Sequence, residues 1–142
     1  MKAAAAVTYL GGSKAIKAKT KLDLDREIRK GLPAASLVEF KARTGFTAQD
    51  LAFLLDISPK TMERAITQHA RISSAASDRL YRTARILALA EEVLEDPAGA
   101  RDWLRSPQHG LGGRRPFELL STDAGAGEVE SLLERIEFGF VA

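Results

Sequence analysis

Residues 47–67 read T-A-Q-D-L-A-F-L-L-D-I-S-P-K-T-M-E-R-A-I-T, and this stretch decides the fold. Thr47 is a good N-cap, and Asp50 stands three residues on, close to a capping-box position. Leu51, Ala52, Leu54 and Leu55 follow as an apolar face. Asp56-Ile57 makes a turn, and Ser58 is a second N-cap with Pro59 at the first helical position. Met62, Ala65 and Ile66 form the inner face of a second short helix. Two capped helices at this spacing make a helix-turn-helix. Small Ala52 sits where the helices approach, Ile57 follows the turn, and Met62 and Ile66 anchor the second helix to the first. The turn usually holds a left-handed glycine; here it is Asp56, a residue that tolerates that conformation better than most.

In a helix-turn-helix the outward face of Pro59–Thr67 enters the major groove. That face carries Lys60, Glu63, Arg64 and Thr67, with Ser58 and Thr61 near the helix start. Lys60 and Arg64 suit guanine edges, and Glu63 suits cytosine. Thr47, Gln49, Ser58 and Thr61 are better placed for phosphates, because helix N-termini point there. The bland alternative is that Lys60, Glu63 and Arg64 form only a solvated helix face. Gln68, His69 and Arg71 follow as a loop or wing, and His69 has no second ligand nearby that would suggest a metal.

Upstream, residues 1–22 hold Lys2, Lys14, Lys17, Lys19 and Lys21 without a sustained period. They are expected to be a flexible basic leader, either solvated or touching DNA backbone. Asp23–Lys30 is expected as a short helix capped by Asp23 or Asp25 and ended by Gly31. Pro33 opens another, to about Arg43, with Leu37, Phe40 and Val38 as candidates for its buried stripe. The helix-turn-helix domain is thus placed at residues 23–72.

Downstream, Ser73 or Ser74 caps a long helix to about Asp96. Leu80, Ala84, Leu87 and Leu94 make one apolar stripe, and Ile86, Leu89, Ala90 and Val93 another, so two surfaces must cover it. Residues 73–96 therefore read as a connecting helix with a further role in dimerisation. Arg79, Arg82 and Arg85 near its start serve either DNA backbone or solubility.

The 142 residues suffice for one ordinary domain or two very small ones. Hydrophobic residues make up 45% and charged residues 28%, which is globular rather than disordered composition. The chain has no cysteine, which excludes disulfides, thiolate metal sites and a Cys nucleophile. The longest apolar runs are far short of a membrane span, and the Ala-rich start reads as a cytosolic leader rather than a signal peptide. Net charge is +2, unevenly placed: residues 1–85 hold 16 Lys/Arg against 8 Asp/Glu, and residues 86–142 hold 5 against 11. The basic part suits phosphate, and the acidic part should avoid it. Neither His69 nor His109 has a nucleophile or carboxylate in motif spacing, and no Gly-rich phosphate loop follows a strand. An enzyme is not expected, and neither is a cofactor or a metal.

Residues 97–142 form a second small helical unit. Pro97 ends the long helix, and a short one is expected around Ala98–Leu104. Leu111–Glu118 reads L-G-G-R-R-P-F-E: two glycines for a tight reversal, then Pro116 starting a short helix. The last helix is placed from about Glu128 to Phe138, with Val129, Leu132, Leu133 and Ile136 inside and Glu128, Glu130, Glu134 and Glu137 outside. Gly139 releases the apolar Phe140-Val141-Ala142, which either folds back or docks on a partner.

Trp103-Leu104, Pro107, Leu111-Gly112-Gly113, Arg115–Leu120, Thr122, Gly125 and the series Val129, Leu133, Ile136, Gly139 together resemble the toxin-binding domain of the Xre/MbcA/ParS antitoxin family. The resemblance covers roughly residues 75–142. The preceding part resembles the Xre-type helix-turn-helix, with Ile57–Arg64 as the matching recognition helix. Asp56 and the extra Gly127 depart from the pattern.

The resemblance implies an all-α chain in which an Xre-like helix-turn-helix bundle is joined by a long helix to a toxin-binding domain. It implies a type II antitoxin whose partners are a RES-domain toxin, of the NAD-consuming, ADP-ribosyltransferase-like group, and operator DNA. The antitoxin would cover the toxin's active site and repress its own operon, as a homodimer or a higher complex with toxin. The toxin-binding residues so implied are Arg114, Arg115, Phe117, Leu133, Glu134, Glu137, Phe138, Phe140, Val141 and Ala142. The competing reading is a plain Xre-type transcriptional regulator whose C-terminal domain serves only oligomerisation.

Overall fold

A computed structural model of the chain describes residues 2–139. Among these residues ten α-helices and one 3-10 turn follow one another, and the only β feature is an isolated bridge between Pro33 and Arg71. The all-α class that the resemblance implied is the one observed among the described residues.

The fold is built around α7 (Ser74–Leu94). The Ser73 hydroxyl starts it by accepting from the Ala76 amide at 3.1 Å, a cap that stabilises by about 1 kcal/mol. Leu80, Ala84 and Leu87 on one stripe and Ile86, Leu89 and Ala90 on the other are all buried. The cover comes from five helices of the same chain: α1 (Lys2–Tyr9), α3 (Lys21–Lys30), α5 (Ala48–Leu55), α8 (Pro97–Arg105) and α10 (Asp123–Glu137). One contiguous core runs from Ala6 to Leu133. The N- and C-terminal parts therefore share α7 rather than each closing over a core of its own.

The leader departs most from expectation. Residues 1–22 were expected to be a flexible arm, yet the described part forms α1 and α2 (Gly12–Ala15), with Ala6, Leu10 and Ile16 buried. An isolated eight-residue helix is marginal in water. Here the apolar side of α7 supplies what local sequence lacks, and the Tyr9 hydroxyl donates to the Glu91 carboxylate.

Three local details also differ. The cap of α3 is Thr20 rather than Asp23 or Asp25; Asp23 instead closes the capping box, accepting from the Thr20 amide at 3.2 Å. In α4 (Ala34–Thr44) Leu37 and Phe40 are buried, but Val38 is exposed. The last helix begins at Asp123 rather than near Glu128, because the Thr122 hydroxyl accepts from the Gly125 amide at 3.0 Å.

Candidate functional site

The first candidate surface is α5, the turn and α6 (Pro59–Thr67). Local chemistry sets its geometry. Thr47 and Asp50 form a reciprocal capping box, at 3.0 Å and 2.9 Å. Asp56 takes the left-handed conformation, at φ 53° and ψ 47°, so the chain reverses without glycine. The Ser58 hydroxyl accepts from the Thr61 amide at 3.0 Å and donates to the Thr61 hydroxyl at 2.9 Å. Met62 is buried, and Ala65 and Ile66 are half-buried, which seats α6 on the rest.

Lys60, Glu63, Arg64 and Thr67 are all exposed on one side of α6. Among the described residues none of the three charged groups enters an ion pair. The Thr67 hydroxyl donates to the Arg64 carbonyl at 3.1 Å. Gln49 is exposed on the first turn of α5. The eight candidates thus lie on the caps and the outward face of one helix pair. Three of them, Thr47, Ser58 and Thr61, also hold that pair in shape.

The arginines at the start of α7 have a different task from the two considered for them. Arg79 donates to the Ser121 carbonyl at 3.4 Å and to the Leu55 carbonyl at 3.5 Å, and Arg82 also donates to Ser121 at 3.4 Å. Arg85 pairs with Glu130 at 2.8 Å. They tie the end of α5 and the α10 region to α7.

The second candidate surface is built on the signature loop and α10. The loop is closed by its backbone: the Gln108 amide donates to Arg114 and the Gly113 amide to Gln108, both at 3.0 Å. Gly112 and Gly113 make the reversal at φ 67° and 81°, which only glycine adopts freely. Pro116 then starts α9 (Pro116–Leu119). Gly125 lets α10 lie on α9, since a Cβ there would fall 2.1 Å from the Leu119 carbonyl oxygen.

Two residues expected to meet toxin are instead core. Phe117 is only 7% exposed and Leu133 not at all. Phe117 sits edge-on to Phe46, with centroids 6.0 Å apart, and stacks on Phe53 at 5.4 Å. Leu133 fills the inner side of α10 with Val129 and Leu132. In the loop, α9 and α10, the surface falls to Arg114, Arg115, Glu134, Glu137 and Phe138, all exposed, with Phe138 70% so. Phe140, Val141 and Ala142 lie outside the described residues. Arg115 pairs with Glu118 at 2.7 Å, and that hydrogen bond holds the Glu118 carboxyl below its usual range.

One residue escaped the reading of the chain. Arg105, at the end of α8, reaches Asp50 at 2.5 Å and lies over the rings of Phe46 and Phe117, 4.7 Å and 5.5 Å from their centroids. Burial alone would raise the Asp50 carboxyl. The hydrogen bond from Arg105, the Thr47 amide and the guanidinium charge outweigh it and hold it below the usual carboxylate range. Its only signal in the sequence is a basic residue in the last turn of a short helix, which many helices have.

Among the described residues no cluster of His, Cys, Asp and Glu could hold a metal, and no helix is long and apolar enough to cross a membrane.

Comparison with known proteins adds to this geometry. Residues 89–139 match the model of the antitoxin Xre/MbcA/ParS C-terminal toxin-binding domain, and residues 23–85 match that of the antitoxin Xre-like helix-turn-helix domain. An Antitoxin Xre of Pseudomonas putida is 29% identical over 118 residues, which cover 83% of this chain and 73% of the relative. An Antitoxin Xre of Photorhabdus laumondii is 27% identical over 120 residues, 84% of this chain and 81% of the relative. A protein of Sphingobium sp. named Prs ADP-ribosylating antitoxin is 27% identical over 124 residues, 81% of this chain and 78% of the relative.

Proposed function

The chain belongs to the Xre/MbcA/ParS-type antitoxins, and from that premise we propose that it neutralises a RES-domain toxin and represses its own operon. The observation that carries the proposal is the pairing of two family-matched units on one shared helix, each with its own exposed charged face.

On the DNA side, Lys60, Glu63 and Arg64 read base edges in the major groove. Thr67 belongs to the same groove face, while Gln49 and the capping hydroxyls of Thr47, Ser58 and Thr61 contact phosphates at the helix N-termini. A symmetric homodimer would require an inverted repeat in the operator.

On the toxin side, the end of α10 carries Glu134, Glu137 and Phe138 into solvent. A toxin that binds anionic NAD has a basic pocket rim. The two carboxylates pair with that rim, Phe138 enters the mouth, and the acidic face slows release by charge complementarity. Arg114 and Arg115 contact the toxin from the signature loop.

The test is growth rescue. The adjoining reading frame is expressed alone, with the full chain, and with the E134K/E137K variant. Rescue by the full chain and loss of rescue with the variant is the expected result. Equal rescue by both would remove the acidic face from the mechanism, and no toxicity of the adjoining frame would remove the toxin reading. A cut after Asp96 is a poor substitute, because it would strip α8 and α10, both packed on α7, from that helix and leave part of its buried surface in water.

A further inference from the structure

Phe53 is an anomaly of the helix-turn-helix. The core side of α5 is Leu51, Leu54 and Leu55, all buried, and needs nothing from position 53. Yet Phe53 presents a ring that is 49% exposed, one of few large apolar side chains left in water among the described residues. That ring stacks on Phe117 of α9, with planes 15° apart.

We propose that Phe53 extends the toxin-docking surface onto the helix-turn-helix, so that the toxin touches both parts of the chain. The inference rests on the reading that this chain binds a toxin. Its support is continuity: the ring is joined through Phe117 to α9, inside the residues that match the toxin-binding domain. Arg105 lies over the same Phe117 ring that Phe53 stacks on, so the exposed ring belongs to an aromatic–arginine cluster. Aromatic residues and arginine are enriched at protein–protein hot spots. The partner that fits is a protein surface with an apolar hollow and carboxylates or carbonyls at its edge. DNA fits less well, because Arg105 and Arg115 are already paired with Asp50 and Glu118 and leave little net positive charge for phosphate.

The test places a photo-crosslinking benzoylphenylalanine at position 53 of the full chain and mixes it with the product of the adjoining reading frame and an operator fragment. Crosslinks to the toxin are expected. Crosslinks to DNA or to a second copy of the chain, with none to toxin, overturn the proposal. In parallel, F53A is expected to weaken toxin binding about tenfold or more while operator affinity stays within about twofold. F53L, which keeps apolar cover on Phe117, controls for loss of folding and should also weaken toxin binding. Wild-type chain that binds toxin while both variants bind it equally well, without crosslinks, overturns this proposal alone. Wild-type chain that fails to bind toxin overturns both this proposal and the reading beneath it.

Discussion

The Arg105 guanidinium and the Asp50 carboxylate, 55 residues apart in sequence, meet at 2.5 Å and join the C-terminal unit to the cap of α5. Asp50 is thereby shared: it closes the Thr47 capping box and receives Arg105. D50A therefore loses a cap and a bridge together, and should destabilise by about 1–2 kcal/mol in urea unfolding. R105A leaves the capping box intact and should cost less than D50A. In the double variant the two losses should sum to less than their separate values, since they share one contact.

The same carboxylate predicts an acid limb. Its folded pKa lies below the ordinary value, so its stabilisation is complete above the unfolded pKa of about 3.9 and is lost as pH falls through the lower folded value. The gap in stability between wild type and D50N should be flat from pH 7 to 5 and shrink below about pH 4. A gap that instead widens on acidification would reverse the sign of the shift.

Glu91 behaves oppositely. Burial raises its pKa, and the nearby Arg101 charge offsets this only in part. A raised carboxyl favours the protonated fold, so this contribution is present below the unfolded value and is lost as pH rises through the folded one. E91Q keeps an acceptor for the Tyr9 hydroxyl and removes the charge. Its melting temperature relative to wild type should rise between pH 4 and 7, by an amount worth under about 1 kcal/mol given partial solvent screening.

Two glycines of α10 should respond in opposite directions. At Gly125 a methyl group would strike the Leu119 carbonyl oxygen, so G125A should destabilise by about 1–3 kcal/mol. At Gly127 a Cβ would meet nothing within 4 Å, and the site is exposed inside the helix. G127A should therefore stabilise by about 0.5–1 kcal/mol. Thermal melts of the pair would show whether α10 lies on α9 as described.

K60A and R64A should leave melts unchanged, because neither side chain is buried or paired among the described residues. Each should weaken operator binding by about 1–3 kcal/mol if it makes a bidentate base contact, with relaxed preference at one base pair. Loss that is uniform across sequences, with a salt slope smaller by about 1, would assign the residue to phosphate instead.

The local chemistry of the chain was enough to specify the helix-turn-helix. Thr47, Ser58 and Asp56 act through hydrogen bonds and dihedral preferences within three or four residues, so their roles were legible in a single strand of text. The glycines of the loop and the alternating stripes of α7 were legible for the same reason. Burial was not, because it depends on what arrives from far away. The Ala-rich leader looked unstructured until α7 offered it an apolar side. Phe117, which the resemblance assigns to the toxin surface, is covered by Phe46 and Phe53, whereas the periodicity of the last helix already put Leu133 inside. Arg105 looked ordinary until it lay between Asp50 and two rings. Short-range hydrogen bonds and backbone sterics are written residue by residue. Which side of a helix meets water is decided only when distant apolar surfaces compete for the same cover.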